Sequence, residues 1–341
     1  MKLKRIGVDL AKQVFQLHGV DSHEQPVLRR QLKRGQMMNF FRALEPTLVG
    51  MEACGGAHYW ARELGKLGHE VKLIAPQFVK PYVKSGKNDA HDAEAICEAV
   101  SRPSMRFVEI KRAEAQAMQA LHRIRARLVK SRTALVNETR GLLAEFGLTE
   151  ARLGVSALRR WIPQVLEDAE NGLPGLMREL LQGLSEELQA VDKRLAALNA
   201  CIDRQACMDE RVQRLLKIEG VGPITATAMV AGLGDGKQFR SGRDMAAALG
   251  IVPRQHSTGG KERLGSIGKR GNPYLRTLLI HGARAAVNSS LKPTKTDARS
   301  RWIQALVARR NKNIATVALA NKNARIMWSM LTRAESYRIT H

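Results

Sequence analysis

Arg5-Ile6-Gly7-Val8-Asp9 is a short apolar run that ends on a carboxylate, and Leu10-Ala11-Lys12 follows it. Thr47-Leu48-Val49-Gly50-Met51-Glu52 has the same shape and also ends on an acid. Asn88-Asp89-Ala90-His91-Asp92-Ala93-Glu94-Ala95-Ile96 then opens a helical pattern in which Asp89 and Asp92, three apart, share a face. Two strand-end carboxylates and a same-face helical pair make an all-oxygen set, the donor chemistry preferred by hard divalent cations such as Mg²⁺ or Mn²⁺. A pair of such ions about 3.5–4 Å apart serves phosphodiester chemistry. The same residues have a plainer reading. Asp89 and Asp92 suit a first helical turn through the macrodipole, and Asp9 suits the opening of a turn.

The surrounding pattern alternates strand and helix signals up to about residue 100. Strands are predicted at Ile6–Asp9, Val14–Val20, Val27–Leu32, Leu48–Met51 and Val71–Ile74, and helices at Gln36–Leu44, His58–Leu67 and Asp89–Val100, with Gly68 and Pro76 as punctuation. Three strands, then helix, strand, helix, strand, helix, is the order of an RNase H-like sheet. That α/β fold puts carboxylates on its first and fourth strands and on a later helix. The order of elements therefore favours the metal reading of Asp9, Glu52, Asp89 and Asp92.

The 341 residues suffice for more than one core. A net charge of +24, from 56 Lys and Arg against 32 Asp and Glu, exceeds what solubility needs and points to a polyanionic partner, nucleic acid before membrane surface. No stretch reaches the roughly 18 apolar residues of a membrane span, and Asp9 interrupts the apolar run behind the basic start, so no signal peptide is expected. Cys54, Cys97, Cys201 and Cys207 form no Cys-x-x-Cys pair, which argues against structural zinc and for reduced, mostly buried thiols in the cytoplasm.

Beyond residue 108 the pattern turns helical. Ala113 to Phe146 reads as one long helix carrying His122, Arg123, Arg125, Arg127, Lys130, Arg132 and Arg140, either a solvated face or a backbone-contacting one. Leu184, Leu188, Val191, Leu195, Leu198 and Ile202 form an a/d seam after the Leu173-Pro174-Gly175 break, suited equally to an intramolecular helical hairpin or to a dimer contact. Ile218-Glu219-Gly220-Val221-Gly222-Pro223 resembles the turn of a helix-hairpin-helix element. Gly220 and Gly222 would bring backbone N–H groups to a phosphate, or simply make a tight helix–helix turn. Between Arg263 and Ala334, Asp297 is the only acid against fifteen Lys and Arg. Trp302 and Trp328 fall on helical patterns there, where core packing is the commoner use of tryptophan and base stacking the alternative. Gly250-Ile251-Val252-Pro253-Arg254-Gln255-His256-Ser257-Thr258-Gly259-Gly260-Lys261 sets hydroxyls beside glycines, with Arg254, Lys261, Arg263, Lys269 and Arg270 around them. A hydroxyl held among cations can attack a phosphodiester, although Ser-Thr-Gly-Gly alone is ordinary loop composition.

Taken together, these segments resemble the DEDD-type transposases of bacterial insertion sequences, the IS-one-ten family and most closely its IS-eleven-eleven branch. The matching motifs are Gly7-Val8-Asp9-Leu10-Ala11-Lys12, Val49-Gly50-Met51-Glu52-Ala53-Cys54-Gly55-Gly56-Ala57-His58 and Lys87-Asn88-Asp89-Ala90-His91-Asp92-Ala93-Glu94-Ala95. They continue with Glu219-Gly220-Val221-Gly222-Pro223, Val252-Pro253-Arg254-Gln255-His256-Ser257 and Ala318-Leu319-Ala320-Asn321-Lys322-Asn323-Ala324-Arg325.

The resemblance implies an RNase H-like (RuvC-like) catalytic domain over 1–108 and a basic long helix with a coiled-coil connector over 109–210. It implies a mainly helical C-terminal transposase domain over 211–341. It also implies an RNA-guided DNA recombinase. A structured non-coding bridge or seeker RNA pairs with donor and target DNA, and strands are exchanged through a covalent serine–DNA link beside Mg²⁺-binding carboxylates. A homodimer or higher oligomer brings serine and carboxylates together across subunits, in the bacterial cytoplasm at the nucleoid. By motif the acids are Asp9, Glu52, Asp89 and Asp92. The family serine directly precedes a glycine, whereas here Thr258 does, so Ser257 is the expected nucleophile, as the less hindered hydroxyl, and Thr258 its rival. A hydrolytic RuvC-like nuclease or junction resolvase using the same acids, and a non-enzymatic nucleic-acid-binding protein, are the competing expectations.

Overall fold

The computed structural model describes residues 3–84, 89–149, 154–335 and 337, with the side chains of Asp89 and Ala90 outside that description. The N-terminal part is built on a six-stranded mixed sheet of order β3-β2-β1-β4-β5-β6. Its strands are β1 (Arg5–Leu10), β2 (Val14–Val20), β3 (Pro26–Lys33), β4 (Leu48–Glu52), β5 (Glu70–Ile74) and β6 (Phe107–Val108). The first three are antiparallel, β1, β4 and β5 run parallel, and β6 returns antiparallel on β5. The helices of this part are α1 (Met37–Arg42), α2 (Ala57–Lys66), the short α3 (Pro76–Val79) and α4 (Asp89–Val100). Every strand and helix expected from the sequence up to residue 100 is present, with ends that differ by three residues at most. The short α3 and the two-residue β6 were too brief to carry a periodicity.

Alternation along the strands sorts the two faces of the sheet. Ile6 and Val8 of β1 share a core with Val49 and Met51 of β4, Phe15 of β2, Phe41 of α1, and Trp60 and Leu64 of α2. Phe15 and Trp60 meet edge to face at 5.3 Å. Arg5, Gly7 and Asp9 point the other way, toward α4. There the sheet offers almost no side chain: Gly7 and Gly50 are paired across β1 and β4. A Cβ on Gly7 would lie 2.2 Å from the carbonyl oxygen of Ala93, and one on Gly50 would lie 2.9 Å from Cβ of Val100. The two glycines form a trough into which α4 sinks. Arg5, 4 % exposed, fastens the far end of the helix by donating from Nε to the Cys97 carbonyl at 2.9 Å. Its guanidinium also pairs with Glu24, whose carboxyl is held down at about 2 by hydrogen bonds from Arg5 and Lys4.

The helical remainder comprises α5 (Ala113–Ala144), α6 (Val155–Glu167), α7 (Gly175–Met208), α8 (Glu210–Leu215), α9 (Pro223–Leu233), α10 (Gly242–Ala248), α11 (Pro273–Ser290), α12 (Ala298–Arg309) and α13 (Lys312–Arg333). A small hairpin of β7 (Pro253–Gln255) and β8 (Leu264–Ile267) interrupts them. The chain divides into two compact units, one running to Gln116 and including Leu233–Arg240, the other holding Ala117–Gly232 and everything from Ser241. The connector expected over 109–210 thus shares a unit with most of the helices expected over 211–341. Among the described residues no helix is long and apolar enough to cross a membrane.

The leucine seam of α7 is used within the chain. Leu188, Leu195 and Ile202 are buried and Leu184, Val191 and Leu198 half-buried. Leu181 and Leu188 join Leu135 and Leu143 of α5 and Leu158 and Ile162 of α6 in one core. Asp192 of α7 accepts from Arg132 of α5 and pairs with Arg159 of α6, both at 3.1 Å. The long basic helix is correspondingly divided. Arg125 donates to Asn199 at 2.6 Å and Arg140 to the Gly154 carbonyl at 3.1 Å. His122 is buried between Tyr274 and Thr227, 3.0 Å from each hydroxyl, and burial pushes its imidazole down to about 4, so it is neutral. Arg123, Arg127 and Lys130, spaced four and three apart, keep the solvent face. The cysteines depart from expectation, since only Cys97 is buried and Cys207 is exposed.

Gly7→Ala is expected to overpack the trough and lower the unfolding free energy by about 1–3 kcal/mol or more. Gly65→Ala, whose added Cβ meets nothing within 4 Å, is expected to leave stability unchanged or raise it by up to about 1 kcal/mol. Urea unfolding of the two variants checks the contrast, and equal effects would mean the trough is not tight.

Candidate active site

The parallel register of β1 and β4 ends at Val8↔Met51. One residue further, Asp9 and Glu52 stand at neighbouring strand ends. Both lie two residues beyond a trough glycine, so both point to the α4 side of the sheet. Helix α4 runs back over them: Cys97 lies over Arg5 and Ala93 over Gly7, which brings the next turn, with Asp92, toward Asp9 and Glu52. Electrostatics agrees with that placement. The Glu52 carboxyl is raised above its ordinary value, first by burial and then by the negative charges of Asp9 and Asp92. Asp89 begins α4, but its side chain lies outside the described residues.

The donor set is oxygen only, with acids close enough to oppose one another's ionisation, which suits a hard divalent cation. Among the described residues, no three His, Cys, Asp or Glu side chains close into a ready-made metal cage. Cys54 follows β4 and donates weakly from Sγ to the Leu10 carbonyl at 3.9 Å. Burial and the charges of Glu52 and Asp9 push its thiol up, which keeps it protonated and unsuited to nucleophilic work. A cavity of about 660 Å³ opens here, lined by Lys12, Arg34, Cys54, Gly55 and Gly56 among others. It carries two cations from the loops after β1 and β3, Lys12 and Arg34, the guanidinium of Arg34 lying 5.3 Å from the centre of the Trp60 ring.

Ser257 and Thr258 lie near the tip of the β7–β8 hairpin. The sequence suggested a flexible loop, but Gly259 and Gly260 instead make its corner. Both are left-handed, at φ 57° and 76°, and Lys261 N donates to the Thr258 carbonyl at 3.1 Å, a tight two-residue turn. Gln255 donates from Nε2 to Ser257 Oγ at 3.0 Å, which orients that hydroxyl and leaves its proton free to be given away. Arg254, Lys261 and Arg263 are exposed around the two hydroxyls. Lys269 and Arg270 sit at the stem, where Lys269 adopts φ 54° and the Arg270 carbonyl accepts from Arg276 at 3.0 Å. The stem is rigid by close approach, since a Cβ on Gly250 would lie 2.2 Å from the Arg270 carbonyl oxygen and one on Gly271 would lie 1.8 Å from that of Ala248.

Gly220 and Gly222 separate into two uses. Gly220 is left-handed and packs on Gly282 of α11, where a Cβ on either would come within 2.5 Å of the other's carbonyl oxygen. The tight-turn reading accounts for it. Gly222 is exposed with open space around it, just before α9. Sequence reasoning also left the Ala318–Arg325 motif without a role, and the structure supplies one. Asn321 Nδ2 donates to the Ile251 carbonyl at 3.1 Å, at the base of the serine hairpin, and Asn323 Nδ2 donates to the Glu219 carbonyl at 3.2 Å, in the helix-hairpin-helix turn. Two asparagines two residues apart, on opposite sides of α13, thus hold the two loops. Their type in a buried helical pattern was the available signal, because an amide that is half-buried, as at Asn321, or buried, as at Asn323, needs a partner.

Comparison with known proteins identifies the family. Residues 6–147 match a transposase family model of the DEDD, IS110 type, and residues 212–299 match a model described as the transposase IS116/IS110/IS902 family. A probable family 20 transposase of Pseudomonas aeruginosa is 62% identical over 338 residues, 99% of each chain. The transposase for insertion sequence element IS1111A of Coxiella burnetii is 49% identical over 98% of this chain and 92% of its own. That for IS1328 of Yersinia enterocolitica is 42% identical over 96% of each. The chain is therefore a transposase, a class that cleaves DNA and transfers strands in recombination. The chain is a member of the IS110 family of insertion-sequence transposases, together with its IS1111 homologues.

The raised Glu52 carboxyl has a consequence for stability. Its folded-state value lies above the ordinary 4.5, so the folded chain holds the proton more tightly than the unfolded one. The stabilisation is complete below about 4.5 and is lost as pH rises through the folded-state value. In chelator, the urea midpoint of the wild type is expected to fall relative to Glu52→Gln as pH rises through that window, and Asp92→Asn is expected to shrink the effect. A pH-independent difference between wild type and Glu52→Gln would contradict the mutual repulsion of these acids.

Proposed function

We propose that the chain is an RNA-guided DNA recombinase with an RNase H-like N-terminal domain, which cuts and exchanges donor and target strands through a covalent serine–DNA intermediate. The observation that carries the reading is the convergence of Asp9, Glu52 and Asp92 at the carboxyl ends of the two central strands in a member of this family. Asp9, Glu52, Asp89 and Asp92 would hold Mg²⁺ or Mn²⁺, which supplies charge neutralisation at a phosphodiester and lowers the pKa of a bound oxygen nucleophile.

Ser257 is the nucleophile in this reading. Its Oγ bonds to phosphorus as a phosphodiester P–O bond breaks, and the serine proton passes, in net terms, to the departing strand end, which leaves as a hydroxyl. The new ester conserves the energy of the old one, so rejoining needs no ATP. Gln255 orients the hydroxyl, and Arg254, Lys261 and Arg263 hold the phosphate. Thr258 is the rival because it stands next to the glycine, but it sits inside the tight turn that Lys261 closes.

Guide pairing would read sequence, leaving backbone contacts to the protein. A chain of net charge +24 with 4% aromatic residues suits that division. Lys12 and Arg34 in the loops after β1 and β3, the exposed face of Arg123, Arg127 and Lys130, and the open turn at Gly222 are the phosphate contacts we assign. Assembly as a homodimer or higher oligomer would bring one subunit's serine to another's carboxylates, at the nucleoid in the bacterial cytoplasm.

The test is to incubate the chain with its element's non-coding RNA, labelled donor and target DNA and Mg²⁺, then to denature and map any DNA-linked peptide by mass spectrometry. An adduct on Ser257 is expected, abolished by Ser257→Ala and by Asp89→Asn, with RNA binding retained in the latter. Metal-dependent cleavage without an adduct would replace the reading by a hydrolytic RuvC-like nuclease. In the same system, raising salt from about 50 to 200 mM should weaken nucleic-acid binding by about 10³–10⁵-fold if 6–10 phosphates are contacted. A flat response would overturn the backbone-contact account.

A further inference from the structure

Helices α10, α12 and α13 form a groove of about 780 Å³ on the second unit, lined by neither the acids nor the serine tip. Trp302 of α12 and Trp328 of α13 line it, each half-buried instead of lost in the core. Arg243, Lys322 and Arg325 also line it, all three exposed, and among the described residues no acidic side chain does. Lys322 Nζ stands 4.7 Å from the centre of the Trp302 ring. The wall is fixed by close packing, since a Cβ on Gly242 would lie 3.0 Å from Cα of Arg325. Asn321, on the same face of α13, ties the groove to the Ile251 carbonyl at the base of the serine hairpin.

Two indole faces among three cations form an arrangement with a definite preference. A nucleobase stacks on an indole whatever its identity, while the cations take the flanking phosphates. In a duplex the base faces are covered by their neighbours, so only an unpaired base can use such a surface. We propose that this groove binds an unpaired stretch of polynucleotide, its base stacked on Trp302 or Trp328 and its phosphates on Arg243, Lys322 and Arg325. The inference rests on the nucleic-acid reading above and adds to it a single-strand site beside the hairpin stem. Strand exchange creates unpaired DNA and a structured guide RNA contains unpaired loops. The two share this chemistry.

The full chain would be titrated with oligo-dT, oligo-U and a blunt duplex, following tryptophan fluorescence and anisotropy of labelled strands. Single strands are expected to quench the fluorescence. Trp302→Leu and Trp328→Leu are each expected to weaken single-strand binding by about 5- to 150-fold, with duplex binding within about twofold of wild type. Tighter binding of oligo-dT would assign the groove to exchanged DNA, and tighter binding of oligo-U to the guide. Lys322→Gln, an exposed change that spares the packing, is expected to reduce the salt slope of single-strand binding by about 1. Equal losses on duplex and single strands, or wild-type single-strand affinity in all three variants, would overturn the proposal. The covalent-adduct assay reads the serine independently, so loss of either result leaves the other standing.

Discussion

The close approach of α4 to the sheet is the constraint on which the candidate metal site depends. A helix lying on a sheet is ordinarily held off by the side chains between them. Here Gly7 and Gly50, side by side on β1 and β4, remove those side chains at the crossing point. The helix backbone comes down to the strands, and Arg5 pins its far end through the Cys97 carbonyl. Because strand side chains alternate, fixing the helix over Gly7 and Gly50 also fixes what lies two residues further along: Asp9 and Glu52, facing the first turns of α4. The acids meet because the glycines let the backbones meet. Glu52 registers the result as a raised carboxyl.

That mechanism explains which parts of the site could be read before the structure. The strand runs, the helix at Asp89 and the acids at their ends are local signals, and all of them lie where periodicity puts them. The trough is not local. Nothing in Ile6-Gly7-Val8 or Val49-Gly50-Met51 says that the glycines are paired across strands, since register is set by the whole sheet. The same limit applied to Gly220. In sequence it belongs to a phosphate-turn pattern, but its partner is Gly282, sixty-two residues away in the chain, and close backbone contact accounts for its lack of a side chain.

The long helix α5 shows the limit of reading charge from composition. Seven basic residues along it look like one cationic surface, yet Arg125, Arg132 and Arg140 spend their donors on α7 and the start of α6, and His122 is a neutral buried lock between α9 and α11. What remains for a polyanion is the single row of Arg123, Arg127 and Lys130. A surface of +24 overall is therefore less evenly positive than its count suggests, and the cations still facing water mark where neutralisation by a partner is worth most.

The two candidate regions differ in how they are held, and the difference fits the chemistry proposed for them. Carboxylates that share a cation must stay at fixed separations, so they sit on strand ends and a helix clamped by backbone contact. On the proposed reading, a hydroxyl esterified to a DNA strand would move with that strand through exchange, which a projecting hairpin suits better than a core position. The hairpin is nevertheless not loose: Gly250 and Gly271 lock its stem, Asn321 holds the Ile251 carbonyl, and the left-handed pair Gly259 and Gly260 shapes its tip. A rigid stem with an exposed tip lets Ser257 travel as part of a body whose base is tied to α13, the helix that also carries Lys322, Arg325 and Trp328. On the proposed reading, nucleic acid bound along α13 and a strand joined to Ser257 would be linked through the Asn321 amide that holds the Ile251 carbonyl.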